Sequence, residues 1–260
     1  LDFARKKSEG AKITMLTAYD YPTACAVDGC GIDSVLVGDS LAMVALGYVS
    51  TVRVTMDEML HHAKAVRKGV KRAFVVADMP FMSFQASDGD AVRNAGRFVK
   101  EAGCQAVKLE GGREMASRVT AVQDAGIPVL GHIGLTPQSA SKLGGFKVQG
   151  RDDASAQKLM DDALALREAG CFAVILECVP ASLASAITDR LDIPTIGIGA
   201  GAACDGQVLV TNDIIGLFDK FTPRFVKKYA DVGAEVKKAV NAFKDEVETG
   251  RFPGDEHSFS

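Results

Sequence analysis

No stretch of this chain is apolar for the ~18 or more residues that a membrane-spanning helix needs, so none is expected to cross a bilayer. Basic excess is also missing: 30 Lys and Arg face 33 Asp and Glu, a formal net charge of −3, which argues against nucleic acid as a partner. Cys25, Cys30, Cys104, Cys171, Cys178 and Cys204 form no C-x-x-C pair. That disfavours disulfide and zinc frameworks and favours buried thiols in a reducing compartment. No low-complexity stretch, linker or sequence repeat divides the chain. No G-x-G-x-x-G follows the first strand-like run, where TAYDYPTA stands instead, so an open doubly wound sheet is only the second choice of fold. The sequence begins at Leu1 rather than Met, which leaves an upstream targeting segment open.

What is present is a repeating pattern. With 260 residues, 47% of them hydrophobic, the chain can bury a full core. Apolar, β-branched runs centre near Met15, Leu36, Val76, Val107, Val129, Ile175, Ile196 and Leu209, as buried parallel strands do. Helix-like stretches alternate with them: HHAKAVRKGV, AVRNAGRFVKEAG, EMASRVTAVQDAG and AQKLMDDALALREAG. Gly69, Gly103, Gly126 and Gly170 stand where helices are expected to have just ended. Eight strands alternating with helices predict a (β/α)8 TIM barrel, taken as a single domain over 1–260. An amphipathic helix is expected ahead of the first strand, in LDFARKKSEGAK. A C-terminal helix is expected to carry Val236, Val240, Phe243 and Val247 on one face, available to cover the barrel or a neighbouring subunit, and a polar tail follows.

Several apolar runs end on residues that bind metals or move protons. SVLVGDS ends on Asp39 and Ser40, FVVADMP carries Asp78, AVKLEGG carries Lys108 and Glu110, PVLGHIG carries His132, and AVILECVP carries Glu177. Residues at the same end of parallel strands meet however far apart they lie in sequence. Each has an ordinary reading: an aspartate can cap a helix, a histidine can be a satisfied polar group, a glutamate can pair with a loop residue. Together, Asp39, Asp78 and Glu110 make an oxygen donor set of the kind Mg²⁺ prefers. Lys108 shares a strand face with Glu110, because side chains alternate with period two. It is read as a buried ion pair, as a cation for an anionic substrate, or as a Schiff-base nucleophile. His132 can donate to a substrate carboxylate or ketone. Glu177 follows four apolar residues, and partial desolvation favours proton uptake by a carboxylate, which suits a base. GIGAG (197–201) reads as an anion-binding loop or a tight turn, and KLGGFKVQGR (142–151) as a mobile lid or a surface turn.

In order along the chain, LTAYD, LVGDSLAM, ADMPFMS, VKLEGG, GHIGLTPQS, GGFKVQGR, LECVP, IGIGAG and PGDEHSF resemble the signature stretches of the ketopantoate (3-methyl-2-oxobutanoate) hydroxymethyltransferase family. The resemblance runs from about Lys12 to Ser258, and nine stretches in the right order are highly specific. Two departures, Ala42 where many relatives have Gly and the stretch GYVSTVRVT, touch no residue singled out above. The K-K-C-G-H loop of isocitrate lyases is not found, although the family shares a fold superfamily with them and with phosphoenolpyruvate mutase.

The resemblance implies a barrel of that superfamily. It implies transfer of a hydroxymethyl group from 5,10-methylenetetrahydrofolate to 3-methyl-2-oxobutanoate, giving ketopantoate for pantothenate and coenzyme A synthesis. It implies Mg²⁺ held by Asp39, Asp78 and Glu110. Substrate contacts fall on Asp39, Ser40, Asp78 and Lys108, with His132 nearby, and Glu177 is the base. A cytoplasmic homo-oligomer, commonly a decamer, is implied as well. Two other classes stay open on the residues alone: a metal-independent Schiff-base aldolase using Lys108, and a non-catalytic binding protein on a barrel scaffold.

Overall fold

The computed structural model describes residues 2–140, 144–218 and 221–259. Eight parallel strands run in chain order around a closed barrel: β1 (Ile13–Thr17), β2 (Ser34–Val37), β3 (Phe74–Asp78), β4 (Ala106–Glu110), β5 (Val129–Gly134), β6 (Ala173–Glu177), β7 (Thr195–Ile198) and β8 (Gly206–Leu209). The last strand pairs back onto the first. Each expected strand centre falls inside an observed strand, so the barrel reading holds.

Helix α1 (Asp2–Ser8) precedes β1, and α2 (Tyr21–Gly29) follows it. After β2 come α3 (Leu41–Val44) and α4 (Met56–Gly69). After β3 comes α5 (Asp88–Arg97), prolonged by a π-helical turn over Phe98–Ala102. Helices α6 (Ala116–Asp124), α7 (Asp153–Glu168) and α8 (Ala181–Arg190) follow β4, β5 and β6. These lie in one compact unit, residues 1–210. Residues 211–260 form a second, with α9 (Thr211–Ile214) and α10 (Val232–Glu248). On α10, Val236, Val240, Phe243 and Val247 remain exposed, and Phe243 packs edge-on against Phe252. Among the described residues, no helix is long and apolar enough to cross a membrane.

Local chemistry sets the helix starts. Thr55 and Glu58 form a reciprocal capping box at α4, Asp152 and Ser155 another at α7, and Asp20 accepts from the Thr23 N–H at α2. Each cap satisfies a main-chain donor that the helix leaves unpaired, for about 1 kcal/mol. At the other ends, Gly103, Gly126 and Gly170 adopt positive φ, as expected. Gly69 does not: it is the last residue of α4 itself. A Cβ there would stand 2.7 Å from the Tyr21 carbonyl oxygen and 2.9 Å from the Ala24 Cβ. Gly69 is glycine because α2 passes so close to α4, a tertiary reason that sequence position does not reveal.

The alternation of each strand divides the apolar residues into two cores. One set faces the helices, including Val35, Val37, Val75, Ala77, Val107, Leu109, Val129 and Ile133. The other fills the barrel: Ile13, Met15, Leu36, Val76, Ala106, Leu130, Ala173, Ile175, Ile196 and Val208. Phe3 of α1 joins Phe74 and Phe172 at the N-terminal end in a trio of edge-to-face rings, with centroids 5.3–5.8 Å apart. The barrel floor is therefore apolar and stoppered.

All six cysteines are free thiols, which agrees with the lack of a disulfide framework. Only part of the buried-thiol expectation holds: Cys104, Cys171 and Cys204 are buried, Cys25 and Cys178 half-buried, and Cys30 exposed.

Candidate active site

The inward rows change character along each strand. Val76 is followed two residues on by Asp78, Ala106 by Lys108 and Glu110, Leu130 by His132, and Ile175 by Glu177. Apolar residues fill the lower barrel, and ionisable ones crowd its C-terminal mouth, where barrel active sites are built. Asp39 joins them two residues beyond the end of β2. Register brings partners side by side: Asp78 is level with Lys108 across β3–β4, and Glu110 with His132 across β4–β5. Lys108 and Glu110 are both buried on the same face of β4, as the period-two argument requires.

Lys108 Nζ lies 2.8 Å from Asp78 Oδ1, 3.8 Å from Glu110 Oε1 and 3.2 Å from His132 Nδ1. His132 Nδ1 is 3.5 Å from Glu110, and its Nε2 is 3.1 Å from Glu177 Oε2. The Asp39 main-chain N–H donates to Asp78 Oδ2 at 2.9 Å, and the Tyr19 and Ser40 hydroxyls are 2.8 Å apart. Asp39, Asp78, Lys108, Glu110, His132 and Glu177 thus form one cluster, with Ser40 beside it. Glu177 is the most open of the ion-paired side chains, at 15% exposure against 3% for Glu110 and His132.

Four carboxylates surround one lysine and one imidazole, and the excess of negative charge governs their protonation. Burial, then the charges of Asp78 and Glu110, pushes the Asp39 carboxyl up to about 8. Burial also raises Asp78, although Lys108 opposes it. Glu110 is also buried, but His132 and Lys108 bring it below the usual carboxylate range. Burial works against the Lys108 ammonium, yet Asp78, Glu110 and Asp39 hold it above an ordinary lysine. Burial and the Lys108 charge oppose protonation of His132, but Glu110 and Glu177 prevail and raise it to about 9. Geometry pulls the other way. Next to a charged Lys108, Nδ1 must accept, so a single ring proton belongs on Nε2, facing Glu177. The Lys108 contact decides for the neutral ring, because an imidazolium would set two donors face to face.

A hard cation fits this set. Asp78 Oδ1 and Glu110 Oε1 are buried oxygens held only by their ion-pair contacts, so lone pairs are left over for a cation. A cation would also offset the surplus charge that drives Asp39 toward its neutral form. Among the described residues, no three His, Cys, Asp or Glu side chains are already drawn into a closed cage. Mg²⁺ asks for less, usually one or two carboxylates completed by water and substrate oxygens.

The loops around the cluster are held by close approaches. A Cβ on Gly134 (φ 94°) would stand 2.2 Å from the Glu177 carbonyl oxygen, so only glycine lets the ends of β5 and β6 approach this closely. Cys178, next to Glu177, takes φ 49°, a left-handed turn rare for a side-chain-bearing residue. Its carbonyl accepts from the Gln149 N–H at 2.9 Å, tying the end of the loop after β5 to the end of β6. Positions 142 and 143 of the expected lid lie outside the described residues. In GIGAG, Gly199 and Gly201 have positive φ, and the Gly201 carbonyl is taken by Gln207 Nε2 at 2.9 Å.

A cavity of about 550 Å³ sits at the opposite end of the barrel, beside Phe3, Lys6, Asp33 and Arg72. Its cations are already engaged, Lys6 in an ion pair with Asp33 at 2.6 Å and Arg72 donating to the Asp28 main-chain carbonyl at 2.8 Å, and it is remote from the cluster.

Residues 1–255 match the family model for ketopantoate hydroxymethyltransferase. The chain belongs to this family. It is 60% identical to the 3-methyl-2-oxobutanoate hydroxymethyltransferase of Syntrophus aciditrophicus, over 97% of this chain and 93% of the relative. It is also 60% identical to the enzyme of that name from Acetivibrio thermocellus, over 99% of this chain and 91% of the relative. Among solved structures, 2,3-dimethylmalate lyase, a member of the PEP mutase/isocitrate lyase superfamily, superposes with a TM-score of 0.60 at 15% identity, over 98% of this chain and 90% of the other. At that identity the likeness concerns the fold alone, a barrel of the kind expected.

Two participants escaped the reading of this family member's sequence. Gln138 stands in GHIGLTPQS, but as an uncharged loop residue it carried no signal of its own. Its amide Nε2 donates to Asp39 Oδ2 at 3.0 Å, and its main-chain N–H donates to Glu110 Oε2 at 3.0 Å. Tyr19, in LTAYD, reaches Ser40; only the closing of the barrel brings that aromatic ring to the mouth.

Proposed function

We propose that this chain transfers a hydroxymethyl group from 5,10-methylenetetrahydrofolate to 3-methyl-2-oxobutanoate, taking up water and releasing tetrahydrofolate and 2-dehydropantoate. The observation that carries the reading is the convergence of a lysine, a histidine and four carboxylates at the mouth of a barrel from this family. Asp39, Asp78 and Glu110 would hold Mg²⁺, which supplies Lewis-acid polarisation of the substrate ketone when bound.

The chain's own groups divide the remaining work. Lys108 offsets the charge of the 2-oxo acid, and Asp39, Ser40 and Asp78 line its place. Glu177, more open than its neighbours, takes the proton from C3, the carbon beside the ketone. His132 is placed by Lys108, which donates to its Nδ1, and by Glu177 beside its Nε2, so its Nε2 proton can follow charge that develops on substrate oxygen. The C3 carbanion equivalent then attacks the one-carbon unit of the folate.

The Schiff-base alternative places a heavy demand on Lys108. An amine nucleophile needs a lowered proton affinity, whereas three carboxylates keep this lysine charged and one pairs with it at 2.8 Å.

We also propose a cytoplasmic homo-oligomer, a decamer as the family resemblance implies. The exposed apolar row on α10 suits a contact between copies. Size-exclusion chromatography with light scattering reads the assembly directly, and a monomer would remove that part of the proposal.

Proton NMR of 3-methyl-2-oxobutanoate in D₂O tests the chemistry. The C3 proton signal should disappear with protein and Mg²⁺, persist in EDTA, and give way to product when the folate is added. Exchange that survives EDTA would favour the imine route, and no exchange or product even with folate would overturn the assignment.

A further inference from the structure

We propose that Gln138 is a positioning residue that holds Asp39 as an oriented ligand, and that Gln85 fixes the direction in which Gln138 donates. The inference rests on the metal-assisted reading above. It starts from the polarity of a short chain of amides. Gln138 Nε2 lies 2.9 Å from the Met79 carbonyl oxygen and 3.0 Å from Asp39 Oδ2. A carbonyl can only accept, so the nitrogen of the Gln138 amide must face this way and its oxygen must face the other. That oxygen accepts from Gln85 Nε2 at 3.1 Å. Gln85 Oε1 in turn receives the Phe84 N–H, a long contact of 3.4 Å, and the Gln85 carbonyl receives Arg118 Nη2 at 3.1 Å.

The chain therefore begins at a main-chain donor, Phe84 N–H, and ends at a main-chain acceptor, Met79 C=O. Neither end can be reversed, and flipping either amide would set like groups against each other. Donation to Asp39 is built in, and it fixes how that carboxyl group is turned.

Gln138 also joins three separate strand ends. Its main-chain N–H holds Glu110 Oε2, its side chain holds Asp39, and the Met79 carbonyl belongs to the residue after β3. It is buried, and its amide hydrogens and oxygen are all engaged within the protein, so it acts through Asp39 and Glu110 rather than on substrate.

The test uses Gln138→Met, which keeps length and removes the donors, and Gln85→Met, one step further from the site. Mn²⁺ is the probe, with its binding followed by electron paramagnetic resonance in the presence of 3-methyl-2-oxobutanoate and without folate. The Mg²⁺ dependence of C3 exchange is measured in parallel. Loss of a partner behind a metal ligand typically weakens affinity about 10–100-fold. Gln138→Met should fall in that range, Gln85→Met should lose several-fold, and for both the Mg²⁺ requirement should rise far more than exchange at saturating Mg²⁺ falls. A merely structural role would lower the exchange rate and thermal stability together and leave affinity of the folded fraction unchanged. Unchanged Mn²⁺ affinity in folded Gln138→Met overturns the proposal. If that variant does not fold, unchanged affinity in Gln85→Met overturns it instead. Wild-type protein that neither binds Mn²⁺ nor exchanges the C3 proton would sink the functional reading beneath it, an outcome distinct from either.

Discussion

The amide of Gln138, on the loop after β5, donates to the carboxylate of Asp39, on the loop after β2, at 3.0 Å. These residues are 99 positions apart in sequence, and the bond crosses the barrel mouth. Asp39 sits where burial and two neighbouring carboxylates oppose its charge, and its carboxyl is raised to about 8. The folded state therefore holds a proton at Asp39 between about pH 4 and 8 that the unfolded chain, with an ordinary aspartate near 3.9, has released. Stability from this group is complete below pH 4 and is lost as pH rises toward 8. Thermal melts in EDTA should show Asp39→Asn gaining on wild type from pH 5 to pH 8. Each ~1 kcal/mol of difference moves the midpoint by roughly 2–4 °C in a chain this large. Added Mg²⁺ should raise the wild-type midpoint at pH 8 and do little for Asp39→Asn. Parallel pH profiles in EDTA would remove the proposed strain at this site.

The base should be separable from metal binding. Replacing Glu177 by Gln keeps size and polarity but removes the base. C3 exchange should fall by about 10²–10⁴-fold, while Mn²⁺ binding with 3-methyl-2-oxobutanoate stays near wild type. Normal exchange in Glu177→Gln would move the proton transfer to another group.

Lys108 should not form an imine. Borohydride added with 3-methyl-2-oxobutanoate should leave its mass unchanged in a peptide map, because the ammonium is held by Asp78 at 2.8 Å. Lys108→Met should lose substrate affinity and, with the carboxylates left unbalanced, stability as well, by about 3 kcal/mol or more. A reduced adduct on Lys108, together with full turnover in EDTA, would revive the aldolase reading.

Asp28 supplies a prediction away from the site. Its carboxylate accepts from the main-chain N–H groups of Lys71, Arg72 and Ala73 at 2.8–3.0 Å, locking the end of α2 to the turn before β3. Burial opposes the charge, but those three donors hold the carboxyl below its usual value. Asp28→Ala leaves three donors unpaired and should cost about 3 kcal/mol in urea unfolding at pH 7. The part of the wild-type advantage that comes from the charge is present above pH ~4 and is lost as pH falls through the lowered folded value, so the gap between the two proteins should narrow in acid. A constant gap down to pH 2 would argue against the charged form as the source.

The inward row of β4 was legible from parity alone. Once Glu110 faces the mouth, Lys108 must share its face, and a five-residue strand leaves no room for slippage. Asp78 and Glu177 were legible because each closes an apolar run. The pairing of His132 with both Glu110 and Glu177 was not, since it depends on the registers of β4 against β5 and of β5 against β6. Gly69 was misread as a residue beyond its helix, because its reason is the neighbouring α2 rather than the local turn.

By itself, the sequence determined what acts over short range: strand parity, helix starts at Thr55 and Asp152, apolar runs that must be buried, and the motifs that carry the family. Closure of the barrel decided the rest. It set which carboxylate pairs with Lys108, how far Glu177 opens to solvent, and that an uncharged glutamine holds Asp39. Those contacts join residues tens of positions apart, and their energies depend on burial and shared charge, which exist only once all eight strands are in place.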